Sequence, residues 1–176
     1  MSGPAVELLT VIGARMGIKF EPLIPLYIPT ILKLCTRSSK IYVNRAQNCL
    51  KLFAAYCRVP PLVTLLKDSI TDKSATLRFA ATDALHDLLS TSVRDGLPRR
   101  GKWVEDVEIM IKITTRDASP ETRKMSRRAF TSYCQLWPER VAEYVFPWSS
   151  LLNSPCLNVP TALLAHSLQR RDDTSI

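Results

Sequence analysis

Arg37, Lys40, Lys73 and Arg116 stand in three short polar segments, Arg37-Ser38-Ser39-Lys40, Thr71-Asp72-Lys73-Ser74 and Arg116-Asp117-Ala118-Ser119-Pro120, each set between longer apolar-patterned stretches. A guanidinium or ammonium so placed offers one kind of chemistry, pairing with a carboxylate or phosphate on another molecule. For a single lysine a solvated loop is the default reading; recurrence in three comparable segments is what raises a binding role. A further concentration runs through Lys112, Arg116, Arg123, Lys124, Arg127 and Arg128, six cations against Asp117 and Glu121, where a solvated face and a binding patch are equally good readings. Across 176 residues, 24 Lys and Arg against 16 Asp and Glu give a formal charge of +8. That balance favours an acidic partner: nucleic acid, anionic lipid or an acidic protein surface.

Catalytic and metal chemistry is poorly provided for. His86 and His166 are the only histidines, and Cys35, Cys49, Cys57, Cys134 and Cys156 never approach a C-x-x-C spacing, so neither a multi-histidine site nor a zinc module is expected. His86 adjoins Asp87, but neighbouring helical residues point in different directions, which argues against a base and its orienter. No G-x-S-x-G, phosphate-binding glycine loop or H-E-x-x-H occurs. The expectation is a non-enzyme without cofactor or metal. The cysteines sit among apolar residues and read as reduced, buried thiols. The start lacks a basic segment followed by an apolar one, and the run Pro22 to Leu32 is too short and proline-rich to span a bilayer, so neither secretion nor membrane insertion is expected.

The elements that position the cations are helices. Hydrophobic residues make up 46% of the chain, only five glycines occur, and apolar residues recur three and four apart. Ala46, Cys49, Leu50, Phe53, Ala54 and Cys57 form one continuous stripe over Ile41 to Cys57. Leu77, Ala81, Ala84, Leu85, Leu88 and Leu89 repeat it over Lys73 to Thr91, and Thr122, Ser126, Ala129, Phe130, Tyr133 and Trp137 do so further on. Other helices are expected at Pro22 to Arg37, Pro61 to Ile70 and Lys102 to Arg116. Prolines 22, 60, 61, 120 and 138 mark helix starts, where no N–H is needed, while Pro29 should kink its helix or delay its start. The aromatics Phe53, Tyr56, Phe79, Phe130 and Tyr133 are expected to pack. Arg94 to Gly101 reads as the longest loop, and the tail after Pro155 as weakly patterned.

A small residue followed by a core pair recurs at Ala5/Leu8/Leu9, Ala46/Cys49/Leu50, Ala81/Ala84/Leu85 and Ser126/Ala129/Phe130, at spacings of 41, 35 and 45 residues. These bracket the period of HEAT and armadillo arrays. Asp72 precedes Arg78 by six, as Asp117 precedes Arg123, which resembles the aspartate and arginine that pair between neighbouring HEAT repeats. The expected fold is all-α, an α-solenoid of HEAT-type helix pairs, with the polar segments as intra-pair turns stacked into a basic ridge.

Four segments carry a closer resemblance: Ala14-Arg-Met-Gly-Ile-Lys-Phe-Glu-Pro22, Leu32-Lys-Leu-Cys-Thr-Arg-Ser-Ser-Lys40, Lys73-Ser-Ala-Thr-Leu-Arg78 and Asp117-Ala-Ser-Pro-Glu-Thr-Arg-Lys124. They are similar to the TOG domains of the CLASP family of microtubule-associated proteins. The resemblance implies a paddle of HEAT repeats over residues 1–150, lacking its first repeats, with 151–176 as a C-terminal helix or tail. It implies tubulin or microtubules as partner, met by Lys40, Lys73 and Arg116 with Arg37 and Arg123 as weaker candidates, and a place in the cytoplasm on microtubules or the spindle. Family members often carry an aromatic residue in the first turn, and none is assigned there in this chain. Two alternatives stand beside this one: a general HEAT-repeat scaffold for another protein and, more weakly, a nucleic-acid-binding helical-repeat protein.

Overall fold

The structure, a computed structural model, describes residues 3–95 and 101–144. Among them lie eight α-helices and no strand: α1 Gly3–Met16, α2 Ile24–Leu34, α3 Lys40–Cys57, α4 Pro60–Ser69, α5 Ala75–Asp95, α6 Lys102–Thr114, α7 Pro120–Leu136 and α8 Pro138–Tyr144, with a 3-10 segment at Gly17–Leu23 between the first two. Helix α3 packs on α1, α5 on α3 and α7 on α5, forming one layer; α4 packs on α2 and α6 on α4, forming the other. Contacts within the pairs α2/α3, α4/α5 and α6/α7 join the layers. This is an all-α solenoid of stacked helix pairs, with α1 in the position of the second helix of a further pair.

The stripes explain the stacking. Ala46, Cys49, Leu50, Phe53, Ala81, Leu85, Leu88, Ala129 and Phe130 are all buried in one continuous core. Where α1 meets α3 the approach depends on Gly13, because a Cβ there would stand 2.4 Å from the Phe53 ring. The Cys49 and Cys57 thiols point across the same seam at the carbonyls of Val6 and Gly13, each at 3.8 Å. Helix α1 ends where Gly17 adopts a φ of 54°, a conformation glycine enters without steric cost. Helix α3 ends as Arg58 turns left-handed and Val59 extends ahead of Pro60.

Prolines 60, 120 and 138 begin helices as expected, but Pro22 does not. It falls inside the 3-10 segment, and α2 starts two residues later at Ile24 with Pro25 in its first turn. Pro29 lies within α2 and neither breaks the helix nor delays it; its missing N–H would have reached only the carbonyl of Pro25, close to the helix start. Helix α5 is longer than its stripe and takes in Arg94 and Asp95, while residues 96–100 and the tail 151–176 lie outside the described residues. Tyr56 is exposed rather than packed, since it falls between the buried positions Phe53 and Cys57 but on the solvent side of the stripe.

Cys35, Cys49, Cys57 and Cys134 are buried. Burial pushes the thiols of Cys35 and Cys134 up to about 12 and that of Cys57 to about 11, so the nucleophilic thiolate is scarce at neutral pH. Maleimide labelling followed by peptide mass analysis is therefore expected to reach these four only after unfolding. Rapid modification of any of them in the native protein would contradict the packing.

Candidate protein-binding edge

Each helix pair turns over five residues: Cys35 to Ser39, Ile70 to Ser74 and Thr115 to Ser119. Because α3, α5 and α7 lie side by side in the same sense, all three turns fall on one edge of the solenoid. Aligned on the serines that precede α3, α5 and α7, the second and third turns share a design. The Asp72 carboxylate accepts the Ser74 N–H at 2.7 Å, and the Asp117 carboxylate accepts the Ser119 N–H at 2.7 Å. Arg78 donates through Nη1 to the carbonyls of Asp72 and Lys73 at 3.0 and 3.1 Å. Arg123 donates likewise to those of Asp117 and Ala118, at 2.6 and 2.9 Å.

Arg78 also spans two repeats. Its Nε and Nη2 meet the two carboxylate oxygens of Asp117 at 2.6 and 3.0 Å, a bidentate pair with both side chains mostly buried. That guanidinium holds the Asp117 carboxyl below its usual range. The aspartate six residues before each arginine therefore gives it a carbonyl rather than a carboxylate, and for Arg78 the carboxylate partner comes from the following repeat. In the first turn the ladder is missing: Arg37 occupies the aspartate position and buried Val43 the arginine position.

The ladder sorts the cations. Arg37, Lys40, Lys73 and Arg116 are exposed on the turn edge, with no ion pair among the described residues. They occupy four different positions relative to the serines that precede α3, α5 and α7, Lys40 already in the first turn of α3, so what recurs is the edge and not one register. Arg123 is half-buried and engaged with its own turn. Lys124, Arg127 and Arg128 are exposed along the body of α7.

Sequence reasoning passed over Ile41 and Tyr42. Both are exposed in the first turn of α3, and Tyr42 lines a depression of about 350 Å³ with Leu34, Arg37, Ser38 and Ser39. The signal was present: Ile41 shares a helix face with Arg45 and Asn48, away from the Val43/Ala46/Leu50 stripe. The first turn thus combines two cations with an aromatic and an aliphatic side chain.

Other polar clusters are satisfied internally. Contrary to the expectation from helix geometry, His86 and Asp87 do meet, Nδ1 standing 3.1 Å from Oδ1, because both side chains lean along the helix surface beyond their diverging Cβ directions. Asp83, His86 and Asp87 bring potential ligand atoms within 4.8 Å of one another. The Lys51 ammonium, 3.2 Å from Asp83 and 3.7 Å from Asp87, already supplies the compensating cation and ties α3 to α5. On α6, buried Asp106 pairs with Lys67 at 2.6 Å, and Glu108 accepts from Tyr133 and Arg140, both at 2.6 Å. None of the described helices is long and apolar enough to cross a membrane.

Comparison with known proteins gives two findings. The profile of the family described as CLASP N terminal matches residues 1–153. Protein stu1 of Aspergillus oryzae is 27% identical over 126 residues, covering 70% of this chain and 11% of that protein. The chain spans about a tenth of the length of this relative.

Proposed function

Because this chain belongs to the CLASP N-terminal family, we propose that it is a tubulin- or microtubule-binding module of a microtubule-stabilising protein, acting by binding and not by catalysis. The observation that carries the reading is the turn edge, where the Arg37, Lys40, Lys73 and Arg116 side chains are exposed without an ion pair among the described residues, while Asp72, Arg78, Asp117 and Arg123 are engaged in holding the second and third turns. Such a surface suits an acidic protein partner: its long-range field speeds encounter, and the fixed turns set where the charges meet. Ile41 and Tyr42 add apolar contact at the first turn, the kind of desolvated anchor that charge alone does not supply. Residence in the cytoplasm on the microtubule cytoskeleton, the spindle included, follows from this reading.

Size-exclusion chromatography with purified tubulin, run beside duplex DNA of equal charge, tests it. Co-elution with tubulin at low salt is expected, weakening as salt is raised and exposed charges are screened. A chain that ignores tubulin yet shifts DNA would overturn the reading in favour of nucleic acid. Binding to neither would leave a scaffold for some other protein as the better account.

A further inference from the structure

Of the three serines that precede α3, α5 and α7, Ser119 alone is followed by proline, and Arg116 stands three residues before it. Proline directly after a serine and arginine three before it are flanking features by which serine kinases recognise substrates. Among the described residues Ser119-Pro120 is the one serine or threonine followed by proline. Its place suits a kinase. Arg116, Ala118, Pro120 and Glu121 are exposed, and Ser119 is half-buried with an extended backbone, φ −75° and ψ 123°, the form in which a kinase cleft holds its substrate. Ser74 is half-buried at the same position in the second turn, which has a helix pair on either side, so this exposure belongs to the turn and not to the end of the array. The Ser119 hydroxyl accepts the Thr122 N–H at a long 3.4 Å. Beneath it the core is polar: Thr114 and Ser126 bond at 2.7 Å, and the Thr122 hydroxyl is buried with no partner among the described residues, where the second pair places Leu77. Less apolar contact holds down the start of α7 than the start of α5, so opening it to a kinase costs less.

We propose that Ser119 is a phosphorylation site for a proline-directed serine kinase, and that its phosphate switches the turn edge off. The switch rests on the reading of that edge as the surface for an acidic partner. In the transfer the Ser119 Oγ attacks the γ-phosphorus of ATP. An Oγ–P bond forms as the bond from that phosphorus to the β,γ-bridging oxygen breaks, ADP leaves, and the hydroxyl proton passes to the kinase's catalytic base. Between Thr115 and Arg123, Arg116 and Arg123 balance Asp117 and Glu121. The phosphate adds about two negative charges to that balance, so the third turn repels an acidic surface. Arg116, exposed with no ion pair among the described residues, is the cation it neutralises. The fold is spared, because the dipole of the 17-residue α7 favours negative charge at its start and offsets repulsion from Asp117 and Glu121.

Incubating the folded chain with a proline-directed kinase and magnesium ATP, and locating the phosphate by peptide mass analysis, tests the site without tubulin. A Ser154→Ala background is used, since Ser154-Pro155 repeats the dipeptide outside the described residues. Modification of Ser119 is expected at a rate within about tenfold of that of a free peptide spanning Lys112 to Arg127. Ser119→Ala should abolish it, and Pro120→Ala, which leaves a good helix former in the first turn, should slow it about tenfold or more. A peptide that is modified while the folded chain is not, a phosphate that lands elsewhere, or a Pro120→Ala chain modified at the wild-type rate overturns the site. The phosphorylated chain should then bind tubulin about tenfold or more weakly in size-exclusion chromatography, with its thermal midpoint nearly unchanged, and a phosphatase should restore binding. Equal binding before and after modification overturns the switch. An unmodified chain that ignores tubulin refutes the reading of the edge and takes the switch with it, while the mass analysis still decides the site.

Discussion

Reversing Lys40 and Lys73 together, Lys40→Glu with Lys73→Glu, is expected to abolish co-elution with tubulin, a weakening of about a hundredfold or more, and to leave the thermal midpoint nearly unchanged. The binding loss follows from placing two carboxylates where an acidic surface would expect cations; like charges facing one another in an interface cost several kcal/mol. The preserved stability follows from where the residues sit. Lys40 is the first residue of α3, where the helix dipole favours a negative charge, so glutamate there is neutral or mildly stabilising. Lys73 contributes to the fold through its backbone carbonyl, which accepts from Arg78 whatever the side chain. Both side chains are exposed, and exposed ion pairs contribute little to stability. Lys124→Glu with Arg127→Glu reverses the same charge on the body of α7 and should matter far less. Arg123 is a poor probe, because its guanidinium holds the third turn and its loss would confuse unfolding with unbinding. Tubulin co-elution at full strength after the Lys40/Lys73 reversal would sink the turn-based mechanism.

The architecture was legible because it is written in periodicity. Stripes such as Ala46, Cys49, Leu50 and Phe53 have one consistent structural solution, a helix buried along one face, and their recurrence forces the helices to stack. Proline was a weaker guide. Pro60, Pro120 and Pro138 begin helices, but Pro22 fits a 3-10 segment equally well, since either conformation accepts its fixed φ, and Pro29 is tolerated because it removes a bond only near a helix start. The site was half legible. The segments that become turns could be named, but a linear pattern does not say which cation a turn uses to hold itself. Arg123 and Arg116 are separated only by the arginine's reach back to two carbonyls, and Ile41 and Tyr42 come to light once the stripe beside them is seen to be buried. His86 and Asp87 escaped for a different reason: Cβ directions constrain where a side chain starts and not where its end atoms meet.

The second large effect lies in the rung between repeats. Arg78→Ala is expected to cost about 3–5 kcal/mol in urea unfolding at neutral pH, the range for removing one partner of a buried ion pair. The loss is large because it is compound: the carbonyls of Asp72 and Lys73 lose their donor, and the Asp117 carboxylate stays in place without the guanidinium that compensated it. Arg78→Lys keeps the charge but not the planar fork that meets both oxygens at once, so it should recover only part. Arg123→Ala removes two carbonyl bonds and no bidentate pair, and should cost about 1–2 kcal/mol. Acid provides an independent check. The folded Asp117 carboxyl lies below its ordinary value, so the rung's stabilisation is present in full above the normal carboxylate range near pH 4 and disappears as pH falls through the lower folded value. The gap between wild type and Arg78→Ala should therefore be widest at neutral pH and close in acid. A gap that is absent at pH 7, or that grows as the carboxylate protonates, would mean that the Arg78–Asp117 pair does not hold these two repeats together.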